Sequence, residues 1–161
     1  MFPLQHKWKK TKGGQFKKVY GYYVGKIWKD ADVDERDIDP ETGQILPDKY
    51  NYLKIENVFS GQLKDVDALF SLELALLTKQ PSVSSDLFIA ALFEIEAEVV
   101  AAITPSVLEV NRNDLVTPEG RAMLSDRIRE TVNTWLETEK DMRPAITEVF
   151  IINLNHLLWQ V

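Results

Sequence analysis

Apolar positions along this chain switch between an alternating and a helical period, and the switches outline one domain. From Tyr50 to Phe59 the residues alternate. Tyr52, Lys54, Glu56 and Val58 fall on one side and Leu53, Ile55, Asn57 and Phe59 on the other, which predicts a half-exposed strand. Asp67 to Thr78 alternates more strongly. Phe70, Leu72, Leu74 and Leu76 share a fully apolar face, and Leu69, Ser71, Glu73, Ala75 and Leu77 a mixed one, as in a sheet covered by helices on one side. SGQLKDV between the two strands reads as a turn and KQPSVSS after them as a break. A helix is predicted next, capped by Ser84 or Ser85 and reinforced by Asp86. Phe88, Leu92, Ile95, Val99 and Ala102 run along it, and it ends near Thr104-Pro105, with Val107–Val110 as a connector.

The best-marked element lies between Asn111 and Lys140. Thr117 is a good N-cap, because its hydroxyl accepts a bond from a backbone N–H that has no partner inside the helix. Pro118 suits the first helical position, and Glu119 places a negative charge at the positive end of the helix dipole. Leu124, Ile128, Val132 and Trp135 then form one apolar stripe, leaving Arg121, Arg127, Glu130, Glu137 and Glu139 for the wet side. After Arg143-Pro144, Ala145–Asn155 has a strand's composition. Ile146, Glu148, Phe150, Ile152 and Leu154 share one face, and Thr147, Val149, Ile151 and Asn153 the other. Both are apolar in the middle, which places this strand inside the sheet. The order strand, strand, helix, helix, strand predicts an α+β domain over 49–161, with two main helices on one face of a small antiparallel or mixed sheet.

Residues 1–48 form a different region. Lys7, Lys9, Lys10, Lys12, Lys17, Lys18, Lys26 and Lys29 precede any acidic residue, interleaved with Trp8, Phe16, Tyr20, Tyr22, Tyr23 and Trp28. The plain reading is a solvated arm with one aromatic-rich strand or hairpin in Gln15–Ile27, Gly21 and Gly25 serving as bulge or turn points. The sharper reading is a membrane-surface site built from Lys7, Trp8, Lys9, Lys10, Lys17 and Lys18, because basic and aromatic residues together favour anionic headgroups. Lys17–Trp28 could equally serve as an edge for a partner's strand. The whole 161-residue chain carries a formal charge of −6 and no nucleic-acid motif, so no nucleic-acid partner is expected.

Asp30, Asp32 and Asp34 alternate, with Glu41 at the twelfth position of a calcium-type loop. Glu35 stands where such a loop needs glycine, so an exposed acidic loop ending in a turn at 39–43 is the better account. There is no cysteine, which excludes disulfides and thiol chemistry. His6 and His156 lie far apart in sequence. The longest mostly apolar run, Leu87–Ile103, is interrupted by Glu94, Glu96 and Glu98 and falls short of the ~20 residues a membrane span needs. The opening Met-Phe-Pro-Leu followed by lysines is not a signal peptide, and a soluble chain or a fragment is expected. No phosphate loop, nucleophile elbow or histidine-rich cluster occurs. A binding or assembly role without enzymatic activity or cofactor is expected.

Three stretches carry a family resemblance. FSGQLKDVDALFSLELALLT sets a short strand before a long aliphatic one. DLVTPEGRAMLSDRIRETVN joins the TPEGR helix start to Leu124, Ile128 and Asn133. ITEVFIINLN closes the domain, with Gln160 near the end. Together, over about Tyr50–Gln160, they resemble the periplasmic domain of the FliL family of flagellar basal-body proteins. The resemblance implies a stomatin/prohibitin-like fold, an inner-membrane location beside the flagellar motor, association with the ion-driven stator units, and self-association into rings. It implies no catalytic residue and no cofactor. The first third departs from that family, a lysine- and tyrosine-rich segment standing where the family has its membrane span. If copies pack side by side, opposite charges suggest Arg121, Arg127 and Arg129 against Glu94, Glu96 and Glu98 of a neighbour. The alternative is a soluble protein-binding adaptor or membrane-surface scaffold outside the flagellum.

Overall fold

A computed structural model describes residues 4–31 and 33–158. Asp32, one of the alternating acidic residues, and Gln160, part of the resemblance, lie outside them. The architecture is α+β, with antiparallel sheets and helices gathered on one side of the larger sheet.

The larger sheet is built on one long strand. β4 (Asp48–Lys54) and β5 (Phe59–Gln62) lie end to end along one side of β6 (Ala68–Pro81), and β7 (Glu148–Leu158) runs antiparallel along its other side. The predicted strand Tyr50–Phe59 is therefore two strands separated by a break, and part of the predicted turn, Ser60–Gln62, is paired. β7 pairs only with β6 among the described residues, so it is an edge strand and not an interior one. Its two apolar faces have another cause: the outer face of this sheet is itself apolar. Tyr50, Tyr52, Leu69 and Phe150 are all exposed there.

The inner face is the core. Phe70, Leu72, Leu74 and Leu76 are buried, as their alternation predicts. Against them pack α1 (Ser82–Glu94), α2 (Glu96–Leu108) and α4 (Pro118–Glu139). The single predicted helix after β6 is two helices, broken at Ile95, and α2 continues past Pro105 to Leu108. Pro105 removes one helical N–H but its ring stays on the exposed side, while Ile103 and Val107 hold the turn in the core. In α4 the buried stripe is Leu124, Ile128, Val132 and Leu136. Trp135, one position off that stripe, lies half-buried beside it.

β1 (Gln5–Lys10), β2 (Phe16–Val24) and β3 (Ile27–Asp30) form a separate antiparallel three-stranded sheet. Gly25 takes a positive φ in the β2–β3 turn, as expected. Gly21 is not a turn. It sits mid-strand because a Cβ there would meet the Lys29 carbonyl and the Trp28 ring. The acidic loop then returns to the domain through a 3-10 turn at Glu35–Asp37. Buried Asp37 accepts bonds from both the backbone N–H (2.8 Å) and the hydroxyl of Ser84. Neither Ser84 nor Ser85 caps α1, whose N-cap position is Pro81. Asp37 supplies that cap from a distance, placing a carboxylate at the helix N-terminus.

Candidate interaction site

The start of α4 is assembled from the residues of the TPEGR segment and those just before it. α3 (Arg112–Val116) opens with a capping box: the Asp114 N–H donates to Asn111 Oδ1, and the Asn111 N–H to Asp114 Oδ2, each at 3.0 Å. The Gly120 N–H donates to Thr117 Oγ1 (2.9 Å), and that hydroxyl donates to the Asn113 carbonyl (3.0 Å). Gly120 is needed because α3 passes too close for a side chain: a Cβ there would fall inside 3.0 Å of both the Asn113 carbonyl oxygen and Thr117 Oγ1. Further along, Asn133 donates to the Ile146 carbonyl (2.9 Å) and accepts from the Ile146 N–H (3.0 Å), fixing the chain as it enters β7.

The three arginines proposed to meet a neighbour are engaged within their own chain. Arg121 donates to the Leu115 carbonyl at 2.8 Å. Arg127 reaches Asp114 at 3.5 Å, tying α4 to α3. Arg129 pairs loosely with Asp126 and Glu130 on its own helix. The glutamates divide differently from the prediction. Because the helix breaks at Ile95, Glu94 closes α1, while Glu96 and Glu98 open α2 at the positive end of its dipole. Glu98 pairs with Lys140, whose ammonium also lies over the Trp135 ring. Glu94 is exposed, and one Glu96 oxygen is buried without a hydrogen-bond partner among the described residues.

Two shallow grooves flank these charges. One, of about 290 Å³, runs between Arg121, Ser125 and Asp126 of α4 and the β7 edge at Glu148–Ile151. The other, of about 420 Å³, lies at the seam of α2 and α4 beside Trp135, between Glu98 and Glu139. Among the described residues no group of three or more His, Asp or Glu is placed to hold a metal. Perturbed carboxylates sit instead in ion pairs on the strands and loops. Asp34 is lowered to about 2 by the Arg36 guanidinium and backbone N–H. Asp86 is lowered by Lys49 and then Asn51, and Glu73 by Lys54 on the outer face of the sheet. Arg36, Lys49 and Lys54 each lie within 3.0 Å of the acid they meet.

The six residues of the proposed membrane-surface site do not share one surface. Register puts Trp8, Lys10 and Lys18 on one face of the N-terminal sheet and Lys7, Lys9 and Lys17 on the other. On the second face Lys7 stacks over Trp28 (4.3 Å), Lys9 meets Asp30, and the Trp28 indole donates to Asp30 at 2.6 Å. That bond and Lys9 hold the Asp30 carboxyl below its ordinary range.

Sequence reasoning missed the Asp37 cap and the exposed outer sheet face. Asp37 carried no signal beyond being one acid among many. The outer face was legible in Tyr50, Tyr52 and Leu69, which alternation already sets opposite the core. No protein-family model matches this sequence, and no curated protein matches it.

Proposed function

We propose that this chain is a non-enzymatic structural component of the bacterial flagellar basal body. Its α+β domain binds and supports the motor's stator units at the periplasmic side of the inner membrane and contributes to motility. The observation that carries this reading is the junction before and within α4. Among the described residues, the polar contacts that join α3 and α4 and anchor the entry to β7 use Thr117, Gly120, Arg121, Arg127 and Asn133, all within the stretch that resembles the FliL family. These residues support the reading in so far as the stretch that carries the resemblance is also the one that builds the helix start and its joints. An assembly role also agrees with a surface of open sheet and shallow grooves. Among the described residues no helix is long and apolar enough to cross a membrane, so attachment there would come through another segment or a partner.

The test is made in a motile bacterium that carries this gene. Deletion is expected to reduce spreading in soft agar, and a photo-crosslinker at exposed Phe150 or Glu94 is expected to capture a stator subunit. Unchanged spreading together with no stator crosslink would refute the reading. The N-terminal sheet favours one second reading, a membrane-surface adaptor outside the flagellum. Removing residues 1–30, the N-terminal sheet alone, leaves the Asp37 cap on α1 in place and distinguishes them: an adaptor loses its partner, whereas a self-associating stator support keeps its oligomer size.

A further inference from the structure

We propose that one face of the N-terminal sheet is a docking surface for an anionic lipid bilayer. The β1–β2 and β2–β3 registers place Trp8, Lys10, Phe16, Lys18, Val24, Ile27 and Lys29 on the same side of this sheet. Trp8, Phe16 and Ile27 are more than 60% exposed, at 61%, 67% and 65%. No acidic residue of the three strands falls on that face; the one acid that reaches it among the described residues is Glu35 of the following loop, which accepts from the Tyr20 hydroxyl at 3.4 Å. Lys10 and Lys29 have no partner among the described residues, and Lys18 only lies over the Tyr20 ring at 5.4 Å. The opposite face differs in kind. Its Lys7, Lys9, Tyr23, Trp28 and Asp30 are joined by stacking, an ion pair and a hydrogen bond. The lysines and rings of that face hold one another, whereas Lys10 and Lys29 beside exposed Trp8, Phe16 and Ile27 have no such partner among the described residues.

Chemistry selects the occupant. Aromatic and aliphatic side chains surrounded by lysines match the headgroup boundary, where the apolar parts enter the acyl edge and the ammonium groups stay with phosphates. Single-stranded nucleic acid would stack on Trp8 and Phe16 but has no use for exposed Val24 and Ile27, which an acyl edge would cover, and the oligothymidylate readout below separates the two. A second copy of this chain presents its exposed apolar side chains on the outer face of the larger sheet. There Lys54 and Lys79 stand among them beside exposed Asp48 and Glu148, and Glu73 is already paired with Lys54. That mixed face offers Lys10, Lys18 and Lys29 far less negative charge than an anionic bilayer does, and the oligomer readout below separates the two. The lipid contact holds for this sheet whatever the α+β domain binds.

The experiment is co-sedimentation of the full chain with vesicles of phosphatidylcholine alone and with phosphatidylglycerol added. Binding is expected only with the anionic lipid, falling as salt rises. Lys10→Gln/Lys18→Gln should weaken it by about 25-fold, at roughly fivefold per lysine near an anionic surface. Lys9→Gln/Lys17→Gln removes the same charge one residue away on the other face and should change binding less than about threefold. Trp8→Phe should abolish the blue shift of tryptophan fluorescence on adding vesicles, while far-UV circular dichroism stays unchanged. Equal losses from the two double variants would overturn the proposal, since net charge alone would then suffice. So would an absence of binding to anionic vesicles. It also falls if Lys10→Gln/Lys18→Gln releases an oligothymidylate or dissociates an oligomer while leaving vesicle binding intact.

Discussion

Replacing Gly120 by alanine sets two effects of similar origin and opposite sign against each other. Gly120 lies in the first turn of α4. Helix propensity alone predicts that alanine stabilises, by up to about 1 kcal/mol in a helix interior and less in a first turn. The packing predicts the reverse. A Cβ at this position falls inside 3.0 Å of the Asn113 carbonyl, a backbone atom that no rotamer change can move. α3 must shift away from α4. Overpacking of this kind costs about 1–3 kcal/mol. The shift also strains the Thr117 cap, worth about 1 kcal/mol, and the bond from Arg121 to the Leu115 carbonyl. The net expectation is a loss of about 2–4 kcal/mol. For a chain of this size that lowers Tm by roughly 5–12 °C. Urea unfolding followed by far-UV circular dichroism measures it directly. Gly61→Ala is the control, because a Cβ there meets only the Phe70 ring at 3.6 Å, an ordinary contact. A Gly120→Ala variant as stable as the parent, or more stable, would show that propensity outweighs packing here and that the α3–α4 joint is looser than its hydrogen bonds imply.

Asp37→Ala should remove the cap on α1 and leave the Ser84 N–H unpaired, costing about 1–2 kcal/mol in urea unfolding, while Asp39→Ala in the same loop should cost less. Asn133→Ala should cost about 2 kcal/mol, because it breaks two bonds to the Ile146 backbone, and it should raise hydrogen exchange at the start of β7. Acid should destabilise the protein progressively from about pH 4 down to about pH 2. The carboxyls of Asp34, Glu73 and Asp86 are depressed in the folded state, so their contribution is complete above the unfolded values and is lost as pH falls through the folded ones. Glu73→Gln should flatten part of that loss. The matching loss at high pH comes from Lys54, whose raised pKa means its contribution fades only as pH climbs beyond the ordinary lysine value.

Most of the domain could be read from periodicity because its core elements are strongly one-sided. β6 and α4 show this best: each buries one regular stripe, and each stripe was in the letters. The errors share a cause as well. Pattern reports which residues face the core but not where the backbone bends. Ile95 keeps an apolar spacing across a helix break, and Leu53 to Phe59 keeps alternation across a strand break. Trp135 and Leu136 both fit a helical stripe within one position, and only packing decides that Leu136 is the buried one. β7 looked interior because apolar residues on both faces usually mean coverage on both. Here the outer face of the sheet is open.

The candidate surfaces were less legible, for a different physical reason. Composition announces a basic and aromatic segment, but pairing register decides which residues act together, and a shift of one residue exchanges the two faces of a strand. Lys9 and Lys10 are neighbours in sequence and stand on opposite sides of the sheet. The α4 motif teaches the converse. Thr117, Gly120, Arg121 and Asn133 are occupied inside the chain, closing a cap, clearing a backbone, holding a carbonyl and fixing a strand entry. A motif of that kind specifies architecture first, since these side chains are spent on joints within the chain, with only the remaining Arg121 donors turned to the groove beside β7. Recognition then falls to what the fold leaves exposed: the Trp8, Lys10 and Ile27 face of the N-terminal sheet, the β7 edge and the open outer face with Tyr50, Tyr52 and Phe150. Substitutions there should alter binding at constant Tm, and substitutions at the α4 start should lower Tm and binding together.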